Sequence, residues 1–132
     1  MDAARVPQEV DTTIHFEEGI LGVPRARRFL LLEKEGSPLR LLRCLDIEGF
    51  VLPVTDPALA DPNYRPALDA RVTAAIDLEQ GDPLLVLAVT TLGAEGPTAN
   101  LRAPVVINVR RRVGAQVILE DHSYSLRAPI KL

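Results

Sequence analysis

The 132-residue chain has one cysteine, one methionine, no tryptophan, three phenylalanines and two tyrosines. The lone thiol, Cys44, excludes an intramolecular disulfide, and without a Cys-x-x-Cys pair there is neither a zinc clamp of that type nor a dithiol redox centre. Long hydrophobic runs are also missing. The longest nearly continuous apolar stretch, Leu84 to Leu92, contains two threonines and is about half of the roughly 18 residues that a membrane span requires. Met1 to Val10 carries Asp2, Arg5 and Glu9 where a signal peptide would have a basic start and an apolar stretch, so the expected compartment is the cytoplasm. Charge of one sign does not dominate: 15 basic residues face 18 acidic ones, giving a net charge of −3 and no overall field that favours nucleic acid. The small acid excess lies in residues 1 to 66, which suits a basic partner if a charged one docks there.

What is present is ordinary globular material. Hydrophobic residues make up 47% and charged residues 25%, the balance of one soluble domain covering residues 1–132. A compact fold of this size buries roughly 65–70% of its unfolded surface, enough for a core without a metal or cofactor. Prolines and glycines punctuate the chain without repeats or linkers.

Strand patterns dominate. Val10, Thr12, Ile14 and Phe16 alternate with polar residues, and Val72, Ala74, Ile76 and Leu78 repeat that period of two. Shorter apolar runs predict strands over Phe29 to Glu33, Leu39 to Leu45, Phe50 to Val54, Leu84 to Thr91, Val105 to Val109 and Ala115 to Glu120. Turn chemistry separates them, as in Glu35-Gly36-Ser37-Pro38 and Gly81-Asp82-Pro83. Helix is expected only within Asp56 to Asn63, where Asp56 can cap a short helix begun by Pro57. The expectation is therefore an all-β domain, a small antiparallel barrel-like or bent sheet with at most one or two short helical turns.

Catalytic patterns are weak. Asp121, His122 and Ser123 have the residue types of a hydrolase triad, but adjacent residues on an extended chain face opposite ways. A hydrolase using His122 with Ser123 or Ser125 is thus a minor alternative. His15 and His122 have no partner at metal-chelating spacing, and Glu17-Glu18 or Glu33 with Glu35 read more simply as solubilising turn acids than as an acid/base pair. Neither Gly19-Ile20-Leu21-Gly22 nor Gly93-Ala94-Glu95-Gly96 matches a nucleotide-binding loop. Arg110-Arg111-Arg112 is the one concentrated basic run; it supports a second alternative, a small nucleic-acid-binding module, but has no interleaved aromatics for stacking. A β-rich domain without a visible catalytic centre most simply binds another protein.

The segment Thr98-Ala99-Asn100-Leu101-Arg102-Ala103-Pro104-Val105-Val106-Ile107-Asn108, followed by Gln116-Val117-Ile118-Leu119 and Tyr124, resembles the FliW family of flagellar assembly factors. Phe16-Glu17-Glu18-Gly19-Ile20-Leu21-Gly22 with Phe29 to Leu32 is similar to that family's opening element and second strand. Phe50 to Val54, Asp56-Pro57 and Asn63-Tyr64 are similar to its middle segment, so the resemblance runs from about Asp11 to Pro129. Leu21 stands where a proline is usual, Val23 where an aromatic is, and Ala115 where a lysine is. The resemblance implies a small barrel-like all-β fold without enzymatic activity. It implies a cytoplasmic bacterial protein that binds the translational regulator CsrA away from its RNA surface and relieves repression of flagellin synthesis; the size of the chain sets a monomer as the expectation for the free protein. It further implies binding of flagellin itself, so that the two partners are exchanged, with no direct contact to nucleic acid. Carried onto this chain, the expected partner-binding residues are Asn100, Leu101, Pro104, Val105, Ile107 and Asn108, with Tyr64. Three packing alternatives remain open at this stage: Val105 and Ile107 as core residues, Asn100 and Asn108 as side chains that satisfy turn backbones, and Tyr64 and Tyr124 as caps of the barrel.

Overall fold

A computed structural model describes residues 12–131. Eight strands form one sheet: β1 (Ile14–Phe16), β2 (Arg28–Glu33), β3 (Leu39–Cys44), β4 (Val51–Thr55), β5 (Leu84–Gly93), β6 (Gly96–Asn108), β7 (Val113–Gln116) and β8 (Ala128–Pro129). Their order is β5-β4-β3-β2-β1-β7-β6-β8, and β5 also pairs with β6, which closes the first seven into a barrel. Closure leaves few strand edges open, a recurrent solution for small all-β chains. The pairings are antiparallel except that β1 runs parallel to β7. Gly114 is required at that parallel contact, because a Cβ there would stand 2.6 Å from Phe16 Cζ.

Seven of the eight expected strands are present with adjusted bounds. Val10 and Asp11, at the start of the first one, lie outside the described residues. The segment expected over Val105 to Val109 belongs to a strand of 13 residues, and the one expected over Ala115 to Glu120 begins earlier and ends at Gln116. The strand expected over Val72 to Leu78 is corrected: Ala70–Ala75 form the helix α1. Its alternation also contains an i, i+4 pair, Val72 and Ile76, and Asp69 caps the N-terminus by accepting from the Arg71 and Val72 amides. Three alanines in six residues favour the helix further. The expected short helix shrinks to a 3₁₀ turn over Pro57–Leu59, capped by Asp56.

Two cores follow from the closed topology. Inside the barrel, Phe16, Phe29, Leu42, Val54, Leu87, Val105 and Ile107 pack together, with Phe29 meeting Phe16 and Phe50 edge to face at 5.2 and 6.2 Å. A second cluster joins Tyr64, Ala88, Ala99, Leu101, Leu119, Ala128 and Ile130. β6 supplies both, and Leu101 and every residue from Ala103 to Asn108 is buried. Both faces of β6 are therefore covered, as in a central strand.

Candidate partner-binding surfaces

The family-like segment lies where β6 breaks its register. Opposite β5, Leu87 pairs with Val105 but Val89 pairs with Asn100, so Leu101 to Pro104 form an extended bulge. Asn100 nucleates it: its Oδ1 accepts from the Arg102 and Ala103 amides at 3.0 and 3.1 Å. The freed carbonyls of Pro104 and Arg102 then accept from the Val117 and Leu119 amides at 3.0 and 2.8 Å, which carries the line of β7 onward as an extended segment. The Tyr64 hydroxyl donates to the Leu101 carbonyl at 2.7 Å, and Arg102 donates to the carbonyls of Tyr124 and His122. Burial raises the Tyr64 phenol well above the ordinary tyrosine range, and the adjacent Tyr124 adds to the shift.

At the other end of β6, the fully buried Asn108 reaches across to α1. Its Nδ2 donates to the carbonyls of Ile76 and Asp77, at the helix C-terminus, and to the Asp82 carboxylate. Its Oδ1 accepts from the Arg111 amide. One amide thus docks α1 and the loop after it onto the barrel.

The structure places every expected partner-binding residue in this framework. Leu101, Pro104, Val105, Ile107, Asn108 and Tyr64 are buried, and Asn100 is half-buried with its side chain committed to the bulge. What they jointly position is a groove of about 720 Å³ between α1 and the segment after β7. Val72 and Ala75 line one bank, Val117 and Ile118 the other, and Arg65, Glu18 and Glu120 also border it. Ile118 is 68% exposed. Reading the sequence missed α1 and with it this groove. The available signal was the helix cap at Asp69 together with the alanines.

A second surface lies on the outer wall of β2, β3 and β4. Register places Leu32, Leu41 and Pro53 in one row and Leu30, Arg43 and Val51 in the next. Leu32, Leu41 and Val51 are each about two-fifths exposed. Contiguous exposed apolar side chains of this kind mark interaction surfaces more often than isolated ones do. Arg43, among the described residues, has no ion-pair partner.

Residues named for the two alternatives from the sequence make contacts within the chain. Two of the three consecutive arginines are engaged within the chain, Arg110 with Asp82 and Arg111 with Glu79, while Arg112 holds a left-handed turn conformation. Asp121 Oδ1 accepts directly from Ser123 Oγ at 2.6 Å, so no imidazole stands between that acid and that serine. Their hydrogen bonds hold the Asp121 carboxyl below the usual carboxylate range. Among the described residues no group of three or more His, Cys, Asp or Glu side chains could hold a metal ion, and no helix is long and apolar enough to cross a membrane.

The FliW protein family model matches residues 3–130. A flagellar assembly factor FliW from Thermoanaerobacter pseudethanolicus is 33% identical over 124 residues, covering 91% of this chain and 83% of the relative. One from Thermotoga maritima is 37% identical over 116 residues, covering 85% and 78%. A solved structure, described as the crystal structure of the flagellar assembly factor FliW, superposes with a TM-score of 0.85 at 28% identity, covering 92% of this chain and 88% of the other. The overall fold and nearly the full length of the chain thus match a known group, and the protein belongs to the FliW family.

Proposed function

We propose that this protein is a flagellar assembly factor that acts by binding other proteins, without catalysis. Membership in a family whose relatives carry that name is the observation that supports the reading. At the finer level, the protein binds a CsrA-type translational regulator in the cytoplasm and relieves its repression of flagellin synthesis. It also binds flagellin, so that free flagellin withdraws it from the regulator. The free protein is a monomer, and it needs neither a cofactor nor contact with RNA.

The surface is consistent with such work. The exposed leucines of the β2–β4 wall flank the Arg43 guanidinium, which has no ion pair among the described residues, and this suits a partner that presents apolar side chains around a carboxylate. Asn100, Leu101, Pro104, Val105, Ile107, Asn108 and Tyr64 serve partner binding by fixing the bulge, the segment after β7 and α1.

Calorimetric titration of the purified protein against the host's own CsrA and, separately, against its flagellin tests the reading. Saturable binding to each is expected. Absence of binding to both folded partners would overturn it.

A further inference from the structure

The line of β7 continues past its last paired residue. β1 accompanies β7 only as far as the pair Phe16 with Gly114, and the loop after β1 is held against Gln116, whose Oε1 accepts from the Leu21 amide. Beyond that point Val117 and Leu119 turn their amides inward to β6. In an extended chain the intervening residues turn theirs the opposite way. The amides and carbonyls of Ile118 and Glu120 accordingly have no hydrogen-bond partner among the described residues. They border the groove whose far bank is α1. A short, unpaired strand edge set in a groove with an apolar bank meets the main-chain requirement for strand addition.

Charge selects the occupant. Of the groove's ionisable groups, Arg71 is paired with Asp69, the Arg65 guanidinium donates to the Tyr64 carbonyl, and Asp121 is bound by Ser123. Glu18 and Glu120 have no ion pair or hydrogen bond among the described residues. The geometry points to a docking site for an extended, basic segment of a partner protein, which adds as a strand along Ile118 to Glu120. Its apolar side chains meet Val72 and Ala75, and its lysines or arginines meet Glu18 and Glu120. This deepens the partner-binding reading and rests on it.

The probe is a synthetic seven-residue peptide of alternating lysine and valine, blocked at both ends, with a glutamate-for-lysine version as control. Amide hydrogen exchange and backbone chemical shifts of the whole protein are followed during titration. The Ile118 and Glu120 amides are expected to become protected, with the glutamate peptide binding about tenfold more weakly. N-methylation of every second peptide amide is expected to abolish binding in one phase of the alternation and to spare it in the other. Ile118→Pro, which removes a donor that no described residue of the protein uses, is expected to lower affinity about tenfold, and Glu120→Lys about fivefold. The N-methyl series does not depend on how either variant folds. No binding at millimolar peptide, or binding that leaves the Ile118 and Glu120 amides unprotected, would overturn the site. Titrating CsrA and flagellin in parallel separates the two failures. Loss of both partners with the peptide still protecting this edge removes the functional reading alone, whereas intact partner binding with no protection here removes the edge site alone.

Discussion

The wall formed by β2, β3 and β4 and the seam formed by β6, β7 and α1 are made of similar apolar residues but are held in different ways. The wall is an unbroken ladder in which residue opposes residue from Phe29 with Cys44 to Glu33 with Arg40, and its outer leucines are in solvent. The seam abandons regular pairing for four residues and replaces it with side-chain locks from Asn100, Asn108, Tyr64 and Arg102. A regular ladder tolerates changes on its exposed face, whereas buried polar locks fail as units when one member is removed.

That contrast is broken most severely at Asn108. Asn108→Ala takes the Asn108 donor from the Ile76 and Asp77 carbonyls and one of several donors from the Asp82 carboxylate, with a stability loss of about 3 kcal/mol expected by urea unfolding. The groove should deform as α1 loosens, which backbone chemical shifts of Val72 and Ala75 would register. Tyr64→Phe removes one bond to the bulge, with an expected loss of about 1 kcal/mol.

The pH dependence of the same locks has opposite signs at its two ends. The Asp82 carboxyl is held below the usual range foremost by the Glu79 amide, with help from Asn108, Arg110 and Arg111 against the cost of burial. Its contribution is complete above the ordinary carboxylate value of about 3.9 and is lost as pH falls through the lower, folded value. Acid unfolding of Asp82→Asn should therefore be less steep in that window. The Tyr64 phenol is raised, so its contribution is complete below the ordinary value of about 10 and is lost as pH rises beyond it. Tyr64→Phe should accordingly flatten the alkaline limb of the stability profile. The smallest change in stability is expected on the wall: Leu32→Ser with Leu41→Ser should alter unfolding by no more than about 0.5 kcal/mol. The same pair should weaken partner binding about tenfold by calorimetry if the wall contributes apolar contact.

The legibility of the sequence follows the same division. Strands β2, β3, β4 and β5 were readable because glycine and proline turns bound short apolar runs. The Val72 to Leu78 alternation misled because two turns of helix with apolar residues at Val72 and Ile76 also satisfy a period of two locally. In the C-terminal third, the residues carrying the resemblance were visible, and so were the core placement of Val105 and Ile107 and the turn role of Asn100 as alternatives, but the long reach of Asn108 was not. Asn100 acts locally, on amides two and three residues along the chain, whereas Asn108 acts on carbonyls that only the tertiary fold brings near, 31 and 32 residues away for Asp77 and Ile76. The exposed leucines of the wall were hidden for a different reason, since apolar residues on both faces of a strand ordinarily signal complete burial.

Displacement of a labelled flagellin-leader RNA from the host's CsrA by the purified protein tests the central claim most directly. The account predicts release of the RNA in proportion to added protein, reversed when flagellin is supplied. Retention of the RNA at saturating protein, or release that flagellin does not reverse, would contradict it.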